Sequence, residues 1–458
     1  MMRGFSFRTE GDTFSFGKFA GHFFPRVHSS STPDAIKSTL CYSANTPNDQ
    51  TMKLYKVHQQ LISRPLINVA AVVHQRLSSL NLSVPQGDVA ITVGSRGICN
   101  LPEIIKACGS WLRDHGASPF IVPAMGSHNG ATAEGQRQMV ESLGVTEAAM
   151  NMPIRSSMEV VQVGEVRTGA VYMDRICSEA AGVLVVNRVK LHTCFAGPIQ
   201  SGLTKMMVVG MGKIRSAQTF HSAGPAAMKD MLLEMGQCVL DSGCILAGLA
   251  ILEDGFDETA ELHAIRPAEI LQREIELLEH HRSYFSRLPI DDLNVLIVDS
   301  IGKTFSGTGM DTNVIGRRGI AGFEDLTSPR IRTIGALSLT PASQGNAIGV
   351  GLADFITQCL RSDINEHKTF INTLTTGDMD RAKIPATLAD DETLICTVAD
   401  RYGRHRWMFI PNTLHLGELF VSEDLASEIA ANPVCHISDE PTHLTFKNGQ
   451  HQLSFARS

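Results

Sequence analysis

The strongest constraint on this chain is an alternation of apolar runs and helical patterns that begins near residue 88. "DVAITV" is a short β-branched run that reads as a strand buried on both faces. The loop "GSRGICN" follows, and then "LPEIIKACGSWLRDHGA". There Leu101, Ile104, Ile105, Cys108, Trp111 and Leu112 recur at helical spacing, with Pro102 in the first turn and Gly116 at the end, the usual punctuation of a helix. "PFIVPA" is the next strand, "MGSHNGAT" the next loop, and "AEGQRQMVESLG" the next helix, closed by a glycine. "AGVLVVN" is a further strand. Runs that are apolar throughout need cover on both faces, and helices between parallel strands supply it. The pattern predicts an α/β fold with mostly parallel sheets.

A charge-rich helical segment, "PAEILQREIELLEHHRSYFSRL", runs from Pro267 to Leu288, and "LNVLIVD" then opens a second unit. Further strands are expected at "IRTIGALSL" and "TLICTVA", with "NAIGVGLADFITQCL" as a helix between them. The predicted organisation is therefore an N-terminal α/β domain over 52–266, a helical linker over 267–290 and a C-terminal α/β domain over 291–458, with the active-site crevice between the two domains. Residues 1–51 are rich in Phe, Ser and Gly and carry no sustained period. They read as a poorly ordered extension, with Met52 as a candidate start.

Composition narrows the function classes. A net charge of −7 argues against a nucleic-acid surface, and no apolar run reaches the roughly 20 residues needed to cross a bilayer. The ten cysteines contain no CxxC pair, which suggests reduced thiols and a cytoplasmic setting.

Ligands of open α/β sheets bind outside the carboxyl ends of the strands. Those ends carry Arg96 in "GSRG", His128 in "GSHNG", and Lys190 and His192 in "NRVKLH"; the second unit adds Lys303 in "SIGK". Cations and glycine-exposed amides favour an anionic ligand, a carboxylate or a phosphate. The stretch from Val186 to His221, "VNRVKLHTCFAGPIQSGLTKMMVVGMGKIRSAQTFH", holds Lys190, His192, Lys205 and His221 without any carboxylate. Within it, Lys205 lies among small and apolar residues. Such a lysine acts as a nucleophile, carries a covalent cofactor, or only lays its stem along apolar surface. No HExxH or cysteine cluster is present, so a structural zinc is not expected. A metal held by one histidine and a non-protein ligand would leave no motif. The "GMGKIR" string departs from a dinucleotide fingerprint because Arg215 stands where the third glycine belongs.

These pieces, taken in order, resemble the nickel-pincer-nucleotide enzymes related to lactate racemase, which are 2-hydroxyacid racemases and epimerases. "GSRG" with Arg96, "GSHNGAT" with His128, "KLHTCFAGPIQSGLTK" with His192 and Lys205, and "TFH" with His221 match the order of that family's motifs. The resemblance covers the chain from about Met52 onward. It implies that 52–266 is the cofactor-binding domain and that Lys205 tethers the nucleotide covalently. It also implies His221 as the nickel ligand, His128 and His192 as the proton-transfer pair, and Arg96 as the residue that holds cofactor or substrate. Lys303 is assigned to the substrate carboxylate. The implied partners are a small 2-hydroxy acid and the cofactor's maturation enzymes, with no nucleic acid and no membrane. The family's arginine motif commonly has an aspartate where this chain has Val93, and its loop histidine is often followed by arginine where this chain has Asn129. Three extra residues separate His192 from Lys205. The changed surroundings favour a substrate larger than lactate, such as an aldonic acid. Two other readings fit the same residues: a dehydratase or hydrolase, and a cofactor-less binding protein for a carboxylated or phosphorylated molecule.

Overall fold

The computed structural model describes residues 52–455, except Arg96 and the side chains of His221, Pro225, Thr375 and Thr376. The extension expected over residues 1–51 lies outside the described residues. The fold is α/β with mostly parallel sheets. Strand β1 (Lys53–Gln59) is followed by β2 (Gly87–Val93) and β3 (Ala117–Pro123), a hairpin of β4 (Val160–Val166) and β5 (Gly169–Asp174), and then β6 (Gly182–Arg188), β7 (Ile245–Glu253) and β8 (Thr259–Ile265). Among the described residues, one sheet has the order β3-β2-β6-β7-β8, parallel except for the last pair.

The second sheet uses β9 (Asp292–Ile301), β10 (Arg330–Leu339), β11 (Phe355–Thr357), β12 (Ala386–Leu388), β13 (Trp407–Ile410), β14 (Glu418–Ser422) and β15 (Cys435–Ile437). Its order is β12-β11-β10-β9-β13-β14-β1-β15. The sequence division placed residues 53–59 with the first unit; β1 instead pairs antiparallel with β14 and β15 in the second sheet.

The apolar strands are covered on both faces, as their composition requires. Val89, Ile91 and Val93 of β2 pack with Ile104, Ile105, Cys108 and Trp111 of the helix Leu101–Asp114. Ala90 faces the opposite core, with Val183 and Val185 of β6 and with Met206, Met207, Leu277 and Leu278. Two local expectations are corrected. "TLICTVA" lies within the helix Asp391–Tyr402: Asp390 caps it through the Thr393 amide, and Leu394, Ile395, Val398 and Ala399 form its buried stripe at helical spacing. "NAIGVGLADFITQCL" is not one helix. It breaks into a 3-10 turn (Val350–Leu352), β11 and a helix (Gln358–Asp363). The break begins at Gly349, which has φ 91 and lies against the Thr308 carbonyl, a conformation that a side chain would not tolerate. No helix among the described residues is long and apolar enough to cross a membrane.

Candidate active site

Each sheet has one point where the strand order reverses. In the first sheet it falls between β2 and β6, because β3 lies on one side of β2 and β6 on the other. In the second it falls between β9 and β13. Crevices at the carboxyl ends of such strand pairs are the usual ligand sites of the architecture. Here both open onto one cavity of about 640 Å³. Ser95 and Gly97 enter from the end of β2, Arg188 and Lys190 from β6, Lys303 to Ser306 from β9, and Thr413 and Leu414 from β13. The end of β7 adds Glu253, Asp254 and Asp257. Lys303 thus reaches the cavity, as expected. Its ammonium donates to Asn372 Oδ1 and its amide to Ser343 Oγ at 2.9 Å.

The two predicted proton-transfer histidines sit on neighbouring loops. Ser95 Oγ makes a short hydrogen bond to His128 Nδ1, linking the loop after β2 to the loop after β3. His192 follows β6. Its amide donates to Gln200 Oε1 at 2.8 Å, and its carbonyl accepts from Asn313 Nδ2 at 3.3 Å. Thr312 Oγ1 and Arg381 donate to the next carbonyl, that of Thr193, at 2.8 and 3.2 Å. The buried Arg381 also donates to Cys194 Sγ. Residues of the second sheet's connections therefore hold the loop that carries His192.

The imidazole of His192 bridges two groups. Nδ1 accepts the Cys194 amide proton at 3.0 Å, and Nε2 lies 2.5 Å from Lys205 Nζ. His192 and Lys205, separated by 13 residues, are brought together. Arg96 lies outside the described residues, and so does the side chain of His221, whose backbone belongs to the helix Lys213–Ser222. The cavity is lined by Lys190 and Leu191 rather than by His192, Lys205 or His128. The two histidines and the lysine thus adjoin its wall from the first sheet's side.

Lys205 is placed by a residue that sequence reading left in the linker. Glu274, on the helix Ile270–Tyr284, is fully buried. Its carboxyl accepts the amides of Leu203 and Thr204 at 2.5 and 2.8 Å, as well as Thr204 Oγ1. It therefore caps the turn Leu203–Lys205, which continues as a π-helical turn over Met206–Gly210. At Gly210 an added Cβ would stand 2.7 Å from the Ala124 carbonyl, so only glycine lets the turn approach the end of β3. Burial pushes Glu274 up to about 7, against the opposing effect of its three hydrogen bonds. Because the folded value lies above the unfolded one, this contribution to stability is complete below the usual 4.5 and lost as pH rises through 7. Between those values the wild type should lose about 3 kcal/mol more than Glu274→Gln, measured by urea denaturation. Parallel pH profiles for the two proteins would refute it.

Carboxylates absent from the 186–221 stretch arrive from other elements. Glu253 of β7 forms an ion pair with Arg188 and accepts the Cys99 amide at 2.7 Å. Asp174 at the end of β5 pairs with Lys213, both fully buried. In the cavity wall, burial raises Asp257 and Asp311 above the ordinary aspartate range. His281, one turn beyond Leu277 and Leu278, is buried in the same wall. Burial first, then Arg188, Lys190 and Arg282, lowers it to about 3, so it is a neutral ring at physiological pH. The sequence signal for Glu274 and His281 was present: both occupy the buried stripe of an otherwise charged helix.

No protein-family model matches the chain, and no curated protein matches it in sequence. Among solved structures it is similar to the lactate racemase apoprotein from Thermoanaerobacterium thermosaccharolyticum. The TM-score is 0.52 at 12% identity, over 78% of this chain and 93% of that one. At that identity the likeness is one of fold.

Proposed function

We propose that the protein is an isomerase, a racemase or epimerase of a 2-hydroxy acid, that carries a nickel-pincer nucleotide on Lys205. The observation that supports this most directly is the His192–Lys205 contact beside the double switch-point cavity. The residues suit such a group. The amine stands beside the His192 imidazole on a turn that the buried Glu274 caps. Among the described residues, no three His, Cys, Asp or Glu side chains gather to hold a metal, so a metal here would take most of its donors from the bound group, with His221 adding one. When bound, the cofactor would accept a hydride from carbon two of the substrate and return it to either face.

The remaining roles belong to the chain. Lys303 and Arg96 hold the substrate carboxylate, for which cations at strand ends are suited. His128 and His192 take and return the hydroxyl proton, one for each enantiomer, a task for which imidazoles are suited. Acids and hydroxyls in the cavity wall, among them Asp257, Tyr284 and Ser306, favour a polyhydroxylated substrate such as an aldonic acid over lactate. The setting is cytoplasmic and the partners are the maturation enzymes of the cofactor, without nucleic acid or membrane.

Protein produced alongside those enzymes should contain close to one nickel per chain and show a mass increase on the peptide containing Lys205. A 2-hydroxy acid deuterated at carbon two should epimerise with its label retained. Nickel-free protein with unmodified Lys205 from such a host would overturn the reading.

A further inference from the structure

One peptide plane joins the second unit to the His192 ring. The Cys194 amide donates to His192 Nδ1 at 3.0 Å. The carbonyl of that same peptide group, on Thr193, points the opposite way, because a trans peptide is planar. It accepts from Arg381 Nη2 at 3.2 Å and from Thr312 Oγ1 at 2.8 Å. Donors of the second unit thus grip one edge of the plane, and the imidazole takes the other. A rotation of the plane away from Arg381 would also carry the N–H away from Nδ1.

Arg381 is fully buried on the 3-10 turn Met379–Ala382, and its carbonyl accepts the Gly349 amide at 2.8 Å. A guanidinium presents five N–H groups in a rigid fork. Here Nε and Nη2 converge on the Arg318 carbonyl at 2.9 and 2.7 Å, and Nη1 meets Asp378 Oδ2 at 3.1 Å. The other two contacts fall on consecutive residues, the Thr193 carbonyl and Cys194 Sγ, the latter at 3.0 Å. Two points of attachment fix the tilt of a peptide plane, where one would let it swing. We infer that Arg381 is a positioning residue, which sets the direction of the His192 ring by holding the Thr193–Cys194 peptide. The ring comes from the first sheet and its orienting arginine from the second unit, so docking of the two units and alignment of the imidazole are a single event. Charge alone does not do this. A lysine would keep a cation beside Asp378, but its ammonium cannot reach the Arg318 carbonyl, the Thr193 carbonyl and the Cys194 thiol together.

The catalytic use of His192 rests on the proposed function, whereas its alignment by Arg381 does not, so the two are tested separately. The first measurement is nuclear magnetic resonance of cofactor-free protein labelled on the histidine ring nitrogens, with the His192 signals assigned by their loss in His192→Phe. In the wild type at pH 7, Nδ1 of His192 should be an unprotonated, pyridine-type nitrogen. In Arg381→Lys its signal should move toward the average of the two tautomers. The double variant Arg381→Met with Asp378→Asn, which strands no buried charge, should give the same shift and serves if the lysine variant does not fold. A wild-type Nδ1 that carries the proton at pH 7 would overturn the inference, as would a His192 signal that is unchanged in a folded Arg381 variant. In the cofactor-loaded enzyme, Arg381→Lys should lower kcat by about 100-fold, the scale expected of a misplaced reacting group. KM for the 2-hydroxy acid should stay within about threefold of the wild-type value, because the residues assigned to the carboxylate are retained. A raised KM with unchanged kcat would make Arg381 a binding residue and also overturn the inference. The expected ring signals in a wild type without racemase activity would leave the positioning standing and defeat only the proposed function.

Discussion

Replacing Lys213 with alanine should lower the unfolding free energy by roughly 3–5 kcal/mol, the range for stranding one member of a buried ion pair. Lys213 and Asp174 both have no solvent exposure, and Nζ stands 3.0 Å from Asp174 Oδ2. The contact neutralises two charges inside the core. The ammonium's directed bonds go elsewhere, to the Pro123 carbonyl at 2.5 Å and to Gln136 Oε1 at 3.1 Å. Gln136 in turn donates to the Gly126 carbonyl at 2.8 Å. One amine thus ties the end of β3, the loop that carries His128 and the helix that carries His221. Without it, Asp174 keeps the Ile176 amide on Oδ1 but faces apolar surroundings with an uncompensated charge. The pair Lys213→Met with Asp174→Asn should recover at least about 2 kcal/mol of the single-variant loss, because the asparagine retains that acceptor without the charge. Denaturation midpoints of the wild type, both single variants and the double variant measure the coupling. Additive losses would show that the two groups act independently.

The architecture was legible where hydrophobic patterning acts alone. β2, β3 and β6 are apolar runs, and the helix Leu101–Asp114 carries a clean stripe. Reading failed where a tertiary partner decides. The run "TLICTVA" is β-branched enough for a strand, yet the Asp390 cap and the spacing of Leu394, Ile395 and Val398 favour a helix. The first described strand belongs to the second sheet, a long-range pairing that no local pattern encodes. At the site, strand-end placement pointed to Lys190 and Lys303, which line the cavity, and to His192, which follows the lining residue Leu191. The missing carboxylates were invisible because Glu253 and Asp174 are remote in sequence from the bases they meet, and Glu274 from the backbone amides it accepts. The segment over 267–290 reads as a linker because charge dominates its composition. Its buried face, with Ile270, Leu277, Leu278 and Tyr284, is instead part of the first core. Polar residues on an apolar helical stripe are costly to bury unless they have partners or a function, and that criterion would have flagged Glu274 and His281 beforehand.

His281 should make the protein strongly acid-sensitive. Its side chain lies in the cavity wall near Arg188 and Lys190, with Arg282 beside it on its own helix and the Phe285 ring 6.1 Å away. Those cations and its burial lower the ring to about 3, from a usual 6.5. A base whose folded value is depressed contributes stability that is complete above the unfolded value and lost as pH falls toward the folded one. Over that window the loss amounts to about 4–5 kcal/mol, of which roughly 2.7 kcal/mol has gone by pH 4.5. Glu274 acts in the opposite sense between 4.5 and 7, so the raw profile is flattened there and the comparison must be made against a variant. His281→Leu removes the titrating ring and also the buried Nδ1, which has no hydrogen-bond partner among the described residues. Leaving such an atom unmatched costs about 1–3 kcal/mol, so the leucine variant should equal or exceed the wild type in stability at pH 7. At pH 4.5 its advantage should grow by about 2.7 kcal/mol. Urea denaturation at the two pH values gives both numbers. An advantage that does not change with pH would mean that His281 gains its proton in the folded cavity, with Asp257 or Asp311 answering its charge.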